Sequence, residues 1–384
     1  MTWPIKKLGE VVIIQNGFAF QSSDYTGSGF FVMRIANVQD GIVELNNPKY
    51  IQSDKSTSFK KFILHDGDIL VSLTGNVGRV GVIQKEHLPA VLNQRVARII
   101  VRDSNQLDHQ YLFSFLRSPF FVSEVIKGGH GMAQQNVSTK DIENIEIPLP
   151  PLAEQKKIVE KIDKQFAKID EAARLRAESE AATAALLPVA LHEIFSQSES
   201  KGWDKKEFSE VVTVESKKNI KKLPYVGMED VESGTGKFLG SKEIREVKSN
   251  TSYFNKDHVL YGKLRPYLNK FLMPDFEGHC STEFLPLRPD KKSLTREWLM
   301  AWLRSDEIVA RINATGAGAR MPRANMKLVA KFKIPLPPLA EQKEIVKKLD
   351  ALSLKVRALH ELQLAQSADL KALKQSILHE AFAQ

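Results

Sequence analysis

Hydrophobic positions along this chain fall into two regimes. Residues 152–187 hold no glycine or proline and are rich in Ala, Glu, Lys, Leu and Ile. Within them Val159, Ile162, Phe166, Ile169 and Ala173 follow 3-4-3-4 spacing, the narrow seam of a coiled coil. Near the C-terminus Leu339, Gln342, Val346, Leu349, Ser353 and Val356 repeat that spacing, and Leu370, Leu373 and Ile377 carry the stripe onward. Each region predicts one helix of about 36 to 42 residues, roughly 54 to 63 Å at 1.5 Å per residue. A helix apolar along one seam must bury that seam. The available partner is the other copy, in an antiparallel pair, since one helix leaves the first globular region and the other returns from the second. Pro188 should kink or stop the first helix, and Ser196 to Lys201 reads as a short flexible linker. Elsewhere the apolar runs are short. Gly67 to Leu73 reads as a turn entering a buried strand, Val91 to Val101 as another strand, and Tyr111 to Leu116 and Trp298 to Leu303 as short helices. The predicted class is α+β: two similar domains joined by two long helices, pseudo-two-fold.

An internal repeat supports this layout. Residues 147–156, IPLPPLAEQK, return as residues 334–343, an offset of 187. The match continues through Ile158-Val159 with Ile345-Val346 and Asp163 with Asp350, and closes with Leu191-His192-Glu193 against Leu378-His379-Glu380. A weaker echo at an offset of 200 joins Trp3, Lys6-Lys7 and Glu10-Val11-Val12 to Trp203, Lys205-Lys206 and Glu210-Val211-Val212. The expected boundaries are a first domain over 1–150, a helix over 151–195, a linker over 196–201, a second domain over 202–336 and a helix over 337–384.

Composition narrows the classes. The 384 residues carry a net charge of +9 and one cysteine, Cys280. No apolar run is long enough to span a membrane, the N-terminus lacks the apolar core of a secretory signal, and a lone cysteine excludes a disulfide framework. The expected location is the cytoplasm. Charge is uneven: residues 201–336 hold 26 basic and 17 acidic residues, whereas 1–150 hold 15 and 14. No phosphate-binding loop is present. The Pro-Pro pairs at 150–151 and 337–338 are followed by leucine, not by the aromatic residue that an amino-methyltransferase loop requires. Glu154-Gln155-Lys156 and Glu341-Gln342-Lys343 read as solvated residues of a first helical turn, where Glu suits the positive helix end. His192 and His379 read as pairing or capping residues between helices. No catalytic or metal-binding set is therefore expected.

The duplicated I-P-L-P-P-L-A-E-Q run, closing two globular regions about 190 residues apart, resembles the specificity subunit of type I restriction-modification enzymes, and the resemblance covers the whole chain. Residues 70–80, LVSLTGNVGRV, with Asn93-Gln94, look like one recognition-domain pattern. Residues 259–270, VLYGKLRPYLNK, followed by 280–284, CSTEF, look like another. The resemblance implies a non-catalytic subunit with two target recognition domains. Each would read half of a bipartite, asymmetric site in the major groove of double-stranded DNA, while the helix pair sets the gap. It further implies two modification subunits that bring S-adenosylmethionine and methylate adenine, and restriction subunits that use ATP with Mg. No cofactor is expected on this chain. The alternative is a two-domain protein scaffold without sequence-specific DNA binding.

Readout calls for Arg or Lys against guanine and Asn or Gln against adenine. In the first domain the candidates are Thr74, Asn76, Arg79, Gln134, Gln135 and Asn136, on loops opened by glycines. In the second they are Lys217, Lys218, Lys221, Lys222, Lys263, Arg265, Tyr267, Lys270, Arg320, Arg323 and Asn325. The candidate helix-pair interface is Val159, Ile162, Phe166, Ile169, Val346, Leu349, Val356, Leu370, Leu373 and Ile377.

Overall fold

The computed structural model describes residues 3–52, 59–129, 136–218, 222–245, 247, 249–316 and 320–383. Two compact units emerge: Met1–Arg176 with Ala365–Gln384, and Ala177–Leu364. Each contains a globular domain and part of both long helices, which run Leu152–Ser196 and Leu339–Phe382.

In the first unit a four-stranded sheet places Val96–Val101 between Val12–Asn16 and Ile69–Ser72, with Val80–Val82 at the far edge. A smaller sheet has Phe30–Met33 in the middle, antiparallel to Tyr50–Ile51 and parallel to Ala90–Leu92. The apolar run Val91 to Val101 is thus two strands in two sheets. Its interruption, Asn93-Gln94-Arg95, carries the chain from one sheet to the other. Strand Ile5–Lys7 pairs with Glu146–Pro148 just before the first long helix.

The second unit repeats this plan. Phe284–Pro289 lies between Val212–Val214 and Val259–Gly262, with Phe271–Leu272 beyond. Asp204–Glu207 pairs with Lys333–Leu336 ahead of the second long helix. One difference separates the small sheets. The parallel pair is kept, Tyr225–Val226 with Gly278–Ser281, but the third strand, Thr251–Phe254, joins the later strand of that pair rather than the earlier one. The two globules are divergent copies of one design.

The repeat has a structural purpose that its polarity conceals. Gln155 and Gln342 are both fully buried, not solvated. Gln155 Nε2 donates to the carbonyls of Gln106 and Pro150, both at 2.8 Å, while Oε1 accepts from Asp108 N–H at 2.7 Å. Gln342 Nε2 donates to Ser293 and Pro337 at 2.8 and 2.9 Å, and Oε1 accepts from Thr295 N–H at 3.0 Å. Every partner is displaced by the same 187 residues. Beside the clamps, Tyr111 Oη donates to the Pro148 carbonyl and Trp298 Nε1 to that of Pro335, each at 2.8 Å. Asp108 and Thr295 cap the short helices His109–Leu116 and Arg296–Arg304. One carboxamide therefore ties the start of each long helix to the cap of a domain helix.

The helices bury their seams into the domains as well as against each other. In the first unit Ile162, Phe166, Leu378 and Phe382 share a core with Tyr111 and Phe115, and Val159 and Ile377 pack against it. Phe382 stacks edge-on against Tyr111 and Phe115. Lys374 pairs with Asp170, so the two helical segments here run in opposite directions. Arg117 lies over Phe113 and Phe166; burial lowers its pKa, opposed by Asp40, Asp170 and Asp163. In the second unit Leu191, Ile345, Val346 and Leu349 share a core with Trp298 and Trp302. Gln363 is buried there too, and its Nε2 donates to Ser179 and Thr183 hydroxyls, both at 3.1 Å.

Several expectations need correction. Pro188 does not stop the first helix, which continues to Ser196. Leu191, Ile194 and Phe195 beyond it are held by the second core, Phe195 stacking on Trp298 at 5.2 Å, and that burial offsets the lost backbone bond. Residues 197–202 form hydrogen-bonded turns, with Ser198 buried, instead of a free linker. Leu373 is 48% exposed and Ala173 is also exposed; the seam passes through Lys374 and Ala172. Ile169 is buried, while Val356 and Leu370 are half-buried. His192 and His379 are both exposed and, among the described residues, cap nothing between the helices.

Two outcomes follow. Three of the four tryptophans, Trp203, Trp298 and Trp302, lie in the second core, so tryptophan fluorescence reports on that unit. Gln342→Ala strands one N–H and two carbonyls in a buried site, each costing about 1–3 kcal/mol. Urea unfolding followed by fluorescence should show a loss of about 3 kcal/mol, and a loss under about 0.5 kcal/mol would refute the clamp. His258 is fully buried; Nδ1 accepts from Asn255 N–H at 3.0 Å, leaving the Nε2 proton facing Glu215 at 3.3 Å. Burial lowers its pKa, so the unfolded chain binds the proton more readily. Stability of this unit should fall as pH drops below about 6.5, and His258→Asn should flatten that slope.

Candidate nucleic-acid interface

The first domain's candidate loop joins strand Ile69–Ser72 to Val80–Val82. The buried Ser72 organises it: its Oγ donates to the Asn76 carbonyl at 2.6 Å and accepts from Arg79 N–H at 3.0 Å. Gly75 and Gly78 take φ of 76° and 77°, a region that side chains disfavour. A Cβ at Gly78 would also press on Val125 at 3.2 Å. The closed loop leaves Asn76 exposed and Thr74 half-buried. Arg79 is turned aside, its Nη1 donating to Gln39 Oε1 at 2.8 Å.

Two other segments meet this loop. Leu73 N–H donates to the Arg95 carbonyl at 3.0 Å, Val137 N–H donates to the Leu73 carbonyl at 2.9 Å, and Thr74 bridges Asn136. Thr74 and Asn136 are therefore brought together, with Asn76 on the same loop as Thr74. Gln134 and Gln135 lie outside the described residues.

The second domain uses the same frame. Lys263 N–H donates to the Glu283 carbonyl at 2.9 Å, Ala324 N–H donates to the Lys263 carbonyl at 2.9 Å, and Leu264 bridges Arg323. Arg265 N–H adds a bond to the Pro322 carbonyl at 2.7 Å. Lys263, Arg265 and Arg323 are thus gathered in one place. Arg323 grips Glu283 with Nε at 3.1 Å from both oxygens and Nη2 at 2.8 Å. That bond holds the Glu283 carboxyl below its ordinary range and raises Arg323. Arg265 and Asn269 sit at φ 49° and 42°, flanking the turn Pro266–Leu268. Left-handed backbone at non-glycine residues is strained and clusters at functional sites. Tyr267 in that turn is 51% exposed.

Other candidates serve different ends. Lys270 points inward, its ammonium donating to the Met228 carbonyl at 2.6 Å. Asn325 accepts from Lys327 N–H at 3.2 Å, capping the short helix Met326–Val329. Lys217 pairs with Glu215 at 3.4 Å and Lys218 bridges Ser252, so both lie along the small sheet. Lys222 and Arg320 are exposed; Lys221 lies outside the described residues. Cys280 is buried with its thiol pushed up to about 12 by desolvation, which leaves it inert as a nucleophile. The frame also takes in Arg95 and Glu283, which sequence reasoning did not single out, because each joins it through a backbone carbonyl that no side-chain pattern announces.

Comparison with known proteins agrees with the duplicated design. A family profile described as type I restriction modification DNA specificity domain matches residues 1–179 and again 191–367. The type I restriction enzyme MjaVIII specificity subunit of Methanocaldococcus jannaschii is 34% identical over 164 residues, 42% of this chain and 38% of that one. The EcoAI specificity subunit of Escherichia coli is 32% identical over 165 residues, 42% of this chain and 28% of that one. The chain thus spans well under half the length of these relatives. Among solved structures, a chain from a type I R-M system matches 99% of this chain and 97% of its own, with a TM-score of 0.74 and 24% identity, which establishes a shared fold. With both of its halves matched by the profile, the chain belongs to the type I restriction modification DNA specificity domain family.

Proposed function

We propose that this chain is the non-catalytic DNA sequence-specificity subunit of a type I restriction-modification complex. The observation that carries the reading is the twice-built frame: the same backbone bonds set Thr74 beside Asn136 in one domain and Leu264 beside Arg323 in the other, with Asn76 on the first loop and Lys263 and Arg265 on the second. Each domain reads half of a bipartite, asymmetric site in the major groove, where amides suit adenine and arginines suit guanine. Because the side chains at equivalent positions differ, the two half-sites differ.

The long helices act as the spacer and as the seat for two modification subunits. Leu186, Val189, Leu354 and Leu362 are 45–67% exposed on them, apolar surface that a partner helix can cover. The modification subunits bring S-adenosylmethionine and methylate adenine; restriction subunits bring ATP and Mg for cleavage. The complex works in the cytoplasm.

Modified-base mapping of DNA treated with the reconstituted complex should reveal a bipartite motif with adenine modified in each half. A single undivided motif would refute the two-domain reading. Binding should weaken steeply with salt, chiefly through the second domain, which holds 26 basic against 17 acidic residues over 201–336; a flat response would favour a protein scaffold. Removing a heptad from both helices, residues 172–178 and 364–370, takes out about 10.5 Å. The gap should shorten by about three base pairs while both half-sites persist; an unchanged gap excludes the spacer role.

A further inference from the structure

The hydrogen-bond frame aligns the two domains residue by residue. Leu73 corresponds to Lys263, since each accepts from the segment before the long helix, from Val137 and Ala324. Thr74 corresponds to Leu264 and Asn136 to Arg323, through the two bridges. Arg95 then corresponds to Glu283, since each offers its carbonyl to the residue at the Leu73 or Lys263 position. In the second domain these last two positions hold an ion pair, Arg323 with Glu283, the Arg side chain 50% exposed and the Glu 23%. In the first domain they hold Asn136 and Arg95, so the ion pair is replaced by an arginine that Asn136 cannot neutralise.

Arg95 is exposed, as is Gln94 beside it, and neither side chain has a hydrogen-bond or ion-pair partner among the described residues. Their backbone is firmly held. Gln94 N–H donates to the Phe18 carbonyl at 2.9 Å, and Arg95 N–H donates to Asn93 Oδ1 at 3.2 Å. The two strands on either side are buried over Ala90–Leu92 and Val96–Arg98. A cavity of about 370 Å³ opens alongside, lined by Tyr25, Arg34, Asn93, Gln94 and Arg95 among others, which gives both side chains room to extend. A fixed backbone that presents two solvated side chains is pre-organised for reading a base edge, since little backbone freedom is left to lose on binding.

We infer that Gln94 and Arg95 are the principal base-reading pair of the first domain, Arg95 taking guanine O6 and N7 and Gln94 taking adenine N6 and N7. The inference rests on the DNA-reading function proposed above. It also accounts for the low charge of this domain: its specificity comes from one fork and one amide, not from a field of lysines.

The test uses the full chain in complex with its modification subunits, assayed by modified-base mapping and by competition binding at several salt concentrations. Arg95→Ala should make one guanine position of the motif degenerate, with discrimination there falling about tenfold to a hundredfold, while the other half-site is unchanged. Gln94→Ala should do the same at one adenine. Arg95→Lys keeps the charge and the fold but lacks the fork, and should still relax the guanine preference. Motifs identical to wild type for all three variants would overturn the pair. So would a uniform loss of affinity with the salt slope reduced by about one and base preference intact, since that marks a phosphate contact. If the wild-type complex itself yields no bipartite motif, it is the broader function that fails.

Discussion

A single buried carboxamide at the foot of each domain constrains everything above it. Gln155 and Gln342 have no exposed surface, and each engages two N–H donors and one acceptor with fixed partners. No other side chain of that size offers this set. Glutamate would lose both donors and bring a charge into a dry site, and an apolar residue would leave three backbone groups unpaired. The partners come from two places: the cap of a domain helix and the Pro-Pro entry of a long helix. The clamp therefore fixes the direction in which each long helix leaves its domain. Shared cores then make the attachment rigid within each unit, Phe166 and Phe382 around Tyr111 in one, Leu191 and Leu349 around Trp298 in the other.

With the attachment fixed, the rest of each domain is free to vary. The frame that gathers the candidate reading residues is made from backbone N–H and C=O groups of Leu73, Arg95 and Val137, or of Lys263, Glu283 and Ala324. Backbone bonds place no demand on side-chain identity. Arg95 could become Glu283, and Asn136 could become Arg323, without loss of the frame. The small sheets show the same tolerance, adding their third strand on different sides of a common parallel pair. A duplicated domain that keeps its clamp and changes its loops can come to recognise two unlike sequences.

The sequence showed some of this plainly and some not at all. The long helices were legible because an uninterrupted polar stretch with a 3-4 apolar seam has few other uses. The duplication was legible because ten residues recur identically. The break at Asn93-Gln94-Arg95 was invisible, since Val, Leu and Ile flank it on both sides and the β pattern looks continuous. The clamp was invisible because glutamine in a first helical turn reads as solvent-facing between Glu154 and Lys156. Pro188 misled for a related reason: local preference said stop, while Leu191 and Phe195 beyond it were already committed to the second core. Local rules failed wherever the tertiary partner lay far away in sequence.

The polar centre of the seam follows from the same logic. A helix pair held by apolar contacts alone could slip by a heptad at small cost, because leucine tolerates many leucine neighbours. Here the domain cores hold the pair, so the middle need not add stability. Gln363, buried against the hydroxyls of Ser179 and Thr183, adds selectivity of register instead. Displaced by one heptad, its carboxamide would face Ala172 and Arg176, or Ala190 and Leu186, and lose both acceptors. A polar group buried at one position of a coiled coil specifies alignment at the expense of affinity. For a chain whose proposed task is to hold a fixed gap, alignment is the property worth that exchange.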